Sequence, residues 1–596
     1  MHKSKLNLRA GSLALALLAP IAASRVAAQD VGPTRNALVG AADPLGETVG
    51  RIAYLDQGWT PGDSRRFYFT PQGSQIIPYA WFLALEQPGN QEPFRDNRNM
   101  ERLRYLAQQA DAMNPDGLPV GFVRDRDRDR DDGRVWLGVT CAACHTTQVN
   151  YKGVGYRIDG GPAMADVTTL LVSMTEALRS TRNDDDKFRR FAARVLGDDA
   201  DPTRLADLKR QMAGVIALRE GYNARNFPPG SPAGYARVDA FGAILNEVYH
   251  RAVRPRDRTS PTTNTRPADA ATSYPFLWDT PQHDRVQWVG NARNGGPLGI
   301  GTLGRNVGEV LGVFAKLEFP EDPRLPSPGY PSSVEVSNLK KMEEWLGTLW
   351  SPQWPADFPP IDPTKKALGA QLYRQNCINC HAPIDRKSPT RRVTAILWDS
   401  GTDPRTANNF WDRTGSSGKL EGAFVKFFPT FDGKIGPMAS GDQMLGNAVI
   451  GTIVGSAIPE LKNILSRDVM TTIDFRRPGP QRLALFLMGA KPGPAYKARP
   501  LNGIWATAPY LHNGSVPSLH ELLLPANRRI KTFSVGSREF DPEKVGFRTD
   551  LPGVFEFRTH NAAGNPFPGN SNAGHEYGTG LSDDQRMALI EYLKSL

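Results

Sequence analysis

Cys141-Ala142-Ala143-Cys144-His145 and Cys377-Ile378-Asn379-Cys380-His381 together hold every cysteine of a 596-residue chain that has only four. Each unit closes on one of nine histidines, a coincidence that chance rarely produces twice. Two thiols at that spacing add across the vinyl groups of a haem, and the adjacent histidine becomes an iron ligand. A thioredoxin-like pair or half of a zinc site would use Cys-x-x-Cys alone. Neither explains two copies with a histidine at the end of both. The expected cofactors are two covalently bound haem c groups. Cys141, Cys144, Cys377 and Cys380 are the attachment points, with His145 and His381 as proximal ligands. No thiol remains for a structural disulfide.

Outward from the second unit, Lys365 to Asn376 reads as a helix with Leu368, Leu372 and Tyr373 on one face, running into Cys377. At the far end, Ser582 and Gln585 form a capping box ahead of a helix, Arg586 to Leu596, that repeats Met587, Ile590, Leu593 and Leu596. An opening and a closing helix of this kind resemble the plan of small c-type cytochrome domains. The first unit follows a predicted strand, Arg134 to Thr140, and precedes Thr147 to Ile158 and the turn Gly160-Gly161-Pro162. Helices are expected around Ala165 to Ser180, Asp186 to Leu196 and Thr203 to Glu220. Pro320 to Pro331 and Pro352 to Pro363 read as connecting segments, and the helix between them, Val334 to Leu349, is grouped with the second domain.

The ends and the charge bound the rest. Lys3, Lys5 and Arg9 precede an apolar run, Leu13 to Ala23, too short to cross a bilayer, and Val26-Ala27-Ala28 offers a cleavage site. The expected organisation is a signal peptide over 1–28, an N-terminal haem domain over 29–335 and a C-terminal cytochrome c domain over 336–596. The fold class expected is mainly α, with extensive loops and few short strands, built as two c-type cytochrome-like haem domains. Export predicts a periplasmic or secreted protein with no stable membrane anchor. Loss of Lys3, Lys5, Arg9 and Arg25 takes four charges off the formal +10, and the remaining charges are interspersed, so no nucleic-acid partner is expected. The alternating run Arg124 to Asp132 reads as a solvated loop or hairpin.

Each iron needs a sixth ligand or a vacancy for chemistry. His575, in the glycine-flanked loop Asn572 to Gly578, is the first candidate for the distal face of the second haem. Met438 and Met444 are the competing ligands. His512, in Trp505 to Pro517, reads as a contact to a haem edge or propionate rather than an iron ligand. His283 could approach the first haem, while His250, His520 and His560 carry no supporting pattern. Trp278 and Trp288 lie in the most aromatic stretch between the units, where an aromatic stepping stone would help electron transfer; both are equally candidates for core.

These residues resemble the bacterial di-haem cytochrome c peroxidase superfamily. The resemblance rests on both Cys-x-x-Cys-His units, on Ala508-Pro509-Tyr510-Leu511-His512-Asn513-Gly514-Ser515 and on the closing helix. The long N-terminal part, with Asp56-Gln57-Gly58-Trp59 and Gln72 to Gln87, is similar to the oxygenase branch, which includes rubber oxygenases and fatty-acid dioxygenases. That resemblance implies an O2-binding first haem on His145 and a second haem between His381 and His575. It also implies an inter-haem tryptophan, Trp288 before Trp278, so His145, Trp288 and His512 are the candidate catalytic residues. The expected reaction is insertion of O2 into an unsaturated hydrophobic substrate such as oleate, giving a hydroperoxide. Hydroperoxide isomerisation and polyisoprene cleavage remain open beside it. So do hydrogen-peroxide reduction with a small redox partner and, outside enzymes, periplasmic electron transfer. Ile76 to Leu85 and Gly299 to Phe319 read either as walls of a hydrocarbon channel or as ordinary core.

Overall fold

The computed structural model describes residues 34–40, 43–126, 133–227, 233–254, 257, 264–294, 300–321, 329–423, 434–456, 493–551 and 555–596. The expected leader, residues 127–132 of the alternating charge run and residues 322–328 of the first proline-rich segment lie outside these. Among the described residues are 14 α-helices and eight small sheets, so the fold is mixed α/β rather than mainly α. The strands were hard to foresee because several are two-residue pairings, such as Ile77–Pro78 and Arg237–Val238, that tertiary contact creates.

The first cysteine unit joins two of these sheets. Val135–Val139 runs between Ile77–Pro78 and Phe122–Arg126, and delivers the chain into the turn Cys141–Ala143. The chain leaves along Thr146–Tyr151, which pairs antiparallel with Val154–Asp159, while Arg51–Tyr54 adds a parallel third strand. Lys152 and Gly153, both at positive φ, make the two-residue turn that folds the expected Thr147 to Ile158 stretch into a hairpin. Gln57 clamps the end of this hairpin by bonding both the Asp159 carbonyl and its N–H (both 2.9 Å). The Asp56-to-Trp59 stretch is therefore a structural tie.

Helices Val167–Asn183, Asp185–Leu196 and Pro202–Asn226 pack together, each started by an aspartate whose carboxylate accepts from the first-turn N–H groups: Asp166, Asp184 and Asp201. Their apolar faces form a core with Ile76, Ile77, Phe82 and Leu85, all with no exposed surface. A larger core draws on both halves of the chain, from Trp59 and Phe67 through Trp278, Val307 and Leu339 to Leu372 and Leu589. Helix Val336–Leu346 packs on Ile300–Gly312 and on Pro61–Phe69. Near the C-terminus, Pro363–Asn376 crosses Asp583–Lys594, whose capping box forms as read, with Ser582 and Gln585 bonding reciprocally. Among the described residues, no helix is long and apolar enough to cross a membrane.

Candidate functional site

Both cysteine units adopt the same turn. The N–H of His145 donates to the Cys141 carbonyl, and that of His381 to the Cys377 carbonyl, each at 2.9 Å. One helical turn sets residues i, i+3 and i+4 on a common face, so both sulfurs and the ring of each unit face the same way. The four thiols form no disulfide with one another, and burial pushes Cys144 up to about 12 and Cys141 and Cys377 up to about 11.

The two rings are anchored alike. His145 Nδ1 donates to the Pro275 carbonyl at 2.7 Å, and His381 Nδ1 donates to the Arg499 carbonyl at 2.6 Å. Tying Nδ1–H to a carbonyl fixes the tautomer and leaves Nε2 as an electron-pair donor, the arrangement a metal-ligating histidine requires. Burial lowers both, His145 to about 4, so the rings are neutral at physiological pH. Tyr373 on the opening helix also donates to the His381 carbonyl.

Across from His381 stands His575, with ring centroids 6.2 Å apart and planes tilted by 49°. Two metal–nitrogen bonds of about 2 Å plus the half-widths of two imidazoles span roughly 6.3 Å, so the separation admits one iron. The paired thiols of each unit, the anchored rings and this gap all fit haem c. The loop that brings His575 there is built for the approach. Gly574, at φ +76°, lies so close to Gly401 that a Cβ would fall 2.2 Å from its carbonyl carbon. His575 is itself at positive φ, its N–H donates to the Ser400 carbonyl at 2.8 Å, and burial with the nearby His381 lowers it to about 4. Arg529 holds the loop from behind, donating to the carbonyls of Asn572 (2.6 Å) and Gly574 (2.8 Å). Met438 is 61% exposed, and Met444 is buried on helix Gly441–Gly455 in the large core.

Trp288 and His512 come into ring contact, with centroids 6.4 Å apart, and His512 stacks on Tyr496 at 3.8 Å. Trp288 Nε1 donates to the Ser273 carbonyl at 2.9 Å. The Arg499 guanidinium lies 3.7 Å over Phe276 and 4.9 Å over Trp288. Trp278, fully buried, stacks on Phe276 at 4.5 Å and donates to the Asn502 carbonyl. The Arg499 guanidinium thus bridges two aromatic groups, Phe276–Trp278 and Trp288–His512–Tyr496. Burial lowers His512 to about 3, and its Nε2 has no partner within the protein. His283 is buried beside Lys497 Nζ at 3.3 Å, while His250, His520 and His560 sit apart from this cluster on other elements.

Sequence reasoning missed Arg305 and Glu309. Both lie on helix Ile300–Gly312, whose other face supplies Val307, Val310 and Leu311 to the core. Arg305 pairs with Glu343 and acts electrostatically on His145; Glu309 accepts from Gln287 and acts on both Cys141 and Cys144. Burial raises the Glu309 carboxyl, against the pull of Gln287 and Arg305. The signal was available: Arg305 and Glu309 are four apart, the one charged helix face in an otherwise apolar segment. Gln72 also reaches Cys141 Sγ, at 3.3 Å.

Residues 495–534 match the family described as RoxA-like, cytochrome c-like. The matched stretch contains Arg499, whose carbonyl holds His381, and Tyr496 and His512, which stack on each other. The uncharacterized protein y4iJ of Sinorhizobium fredii (strain NBRC 101917 / NGR234) is 31% identical over 92% of this chain and 94% of its own length. A second uncharacterized protein of that strain, y4iM, is 26% identical over 48% of this chain and 51% of its own.

Proposed function

Since this chain belongs to one family with the uncharacterized protein y4iJ and carries a RoxA-like cytochrome c domain, we propose that it is an exported di-haem oxygenase acting on an unsaturated hydrophobic substrate, an unsaturated fatty acid before others. The observation that carries the reading is the RoxA-like match itself, which falls on the stretch holding His381 and packing against Trp288. Bound haem would supply one-electron redox chemistry and O2 activation, which no side chain here provides.

The chain's own residues do the rest. His145 and His381, each anchored through Nδ1, would hold an iron through Nε2, and His575 would be the second nitrogen donor at the His381 site. With donors on both sides, the His381 site would suit electron storage, which would leave the chemistry of O2 to the His145 site. Trp288 and Phe276, bridged by the Arg499 guanidinium, would serve as stepping stones for electrons between the two sites. The neutral rings of His145 and His381 hold no proton at Nε2, so ligation does not compete with protonation at neutral pH. Burial raises the carboxyl of Glu309 beside the first site, against the pull of Gln287 and Arg305. The signal peptide over 1–28, the division at 335/336 and a small redox partner belong to this proposal too.

Purified protein incubated with oleate under O2 should take up oxygen and yield an oxidised fatty acid without added peroxide. Absence of both would sink the oxygenase reading. A second reading has one observation in its favour. Hydrogen-peroxide reduction needs an acid to protonate the departing oxygen, and Glu309, its carboxyl raised and held by Gln287 near Cys141 and Cys144, is the candidate. Consumption of peroxide with a reduced cytochrome donor, and inert oleate, would select it.

A further inference from the structure

Between the two anchored histidines the protein gathers more positive charge than it neutralises. Lys497 and Arg499 are two apart at the end of strand Tyr496–Ala498, a spacing that sets them on one side of the extended chain. Lys497 Nζ donates to the Arg285 carbonyl at 3.2 Å and lies 3.3 Å from His283 Nδ1. The Arg499 guanidinium covers the rings of Phe276 and Trp288. Among the described residues, neither cation forms an ion pair. The carboxylates that act on them are engaged elsewhere. Asp279 pairs with Arg391 at 2.7 Å and accepts from Asn502, and Asp284 accepts from the Ala395 N–H at 2.8 Å. Arg305, a third cation in electrostatic reach of Lys497, is spent on Glu343. Cations drawn out of water without a counter-charge are costly, and proteins retain them where an anionic ligand completes the balance.

The position says which anion. Arg499 holds His381 through its own carbonyl, and Phe276, under its guanidinium, directly follows Pro275, whose carbonyl holds His145. One side chain therefore touches the segments on which both histidines hang. A haem carries two propionate carboxylates on one edge. We infer that Lys497 and Arg499 bind haem propionates between the two sites, completing the charge balance there and holding the haem potentials up. The inference rests on the haem reading above, but not on the oxygenase reaction. A cation beside the macrocycle disfavours the more positive ferric state, so it raises the reduction potential.

The test is an optical redox titration of the full-length holoprotein as wild type, Lys497→Gln, Arg499→Gln and Arg499→Lys, with haem content measured on each. Both glutamine variants should keep their covalent haem. At least one midpoint should fall by about a tenfold change in the oxidised-to-reduced ratio, about 59 mV for one electron. Arg499→Lys, which keeps the charge, should stay near the wild type. Unchanged midpoints in both glutamine variants would overturn the inference, and Lys497→Gln decides it alone if Arg499→Gln does not fold. An equal fall in Arg499→Lys and Arg499→Gln would also overturn it, assigning Arg499 to packing against Phe276 and Trp288. A wild-type chain purified without haem would refute the haem reading instead.

Discussion

Replacing Arg529 by methionine keeps the bulk of a nearly fully buried side chain and removes every donor. Arg529 ties two segments together, bonding the carbonyls of Leu522, Leu524, Asn572 and Gly574, with a longer contact to that of His575. The two short bonds, to Asn572 and Gly574, are charge-assisted, and each is worth about 2 kcal/mol. Part of that sum returns, because a methionine no longer has to keep a cation out of water. A net loss of about 2–3 kcal/mol remains, and it falls on the loop that sets His575 opposite His381. Such a loss changes the ratio of seated to displaced loop by a factor of roughly 30–140. The assay is CO binding to the dithionite-reduced protein, read optically as CO bound per haem, alongside thermal unfolding. Arg529→Met should bind more CO per haem than wild type, because displaced His575 leaves a coordination position open. Its Tm should also fall by about 2 °C. Identical CO stoichiometry at an unchanged Tm would refute the claim that Arg529 seats the ligand loop.

Gly369 on the opening helix packs so closely on the closing helix that a Cβ would sit 2.0 Å from the Ala588 carbonyl oxygen. Gly369→Ala should cost about 2–3 kcal/mol in denaturant unfolding through overpacking, and a neutral substitution would mean the two helices do not meet as described. Burial raises the Glu309 carboxyl, so the folded chain holds that proton more tightly than the unfolded one does. Stability must then fall as pH rises from the unfolded value of about 4.3 through the raised native value. Glu309→Gln lacks this loss, and its Tm advantage over wild type should grow across that window; a pH-independent difference would contradict the burial. Cys377→Ala with Cys380→Ala should halve the covalent haem per chain, measured as the pyridine haemochrome, while a full loss or no loss would contradict two independent attachment sites.

Much of the site could be read along the chain because its chemistry is local. Cys-x-x-Cys-His is a single turn of backbone, so the attachment residues and the ring beside them are adjacent in sequence before they are adjacent in space. The capping box at Ser582 and Gln585, and the helices at either end of the second unit, are local in the same sense. His575 announced itself only through its glycine neighbours, and Gly574 is needed because another backbone, at Gly401, lies against it.

What no window of sequence contains is the company each residue keeps. The fold's small sheets escaped because two-residue strands have no period to detect and exist only when partners such as Val135–Val139 arrive. Glu309 and Arg305 lie in Gly299 to Phe319, a stretch that reads as channel wall or core; folding brings them within electrostatic reach of Cys141 and His145, far upstream in the chain. Pro275 and Arg499 hold the two histidines through backbone carbonyls, groups that every residue possesses and no side chain advertises. The sequence by itself determined the covalent chemistry, since thioether attachment needs only neighbours in the chain. Tertiary structure alone decided the approach of His575 to His381, the aromatic groups bridged by Arg499 and the cations beside them, because each of these is a distance between segments that burial of a shared core brings together.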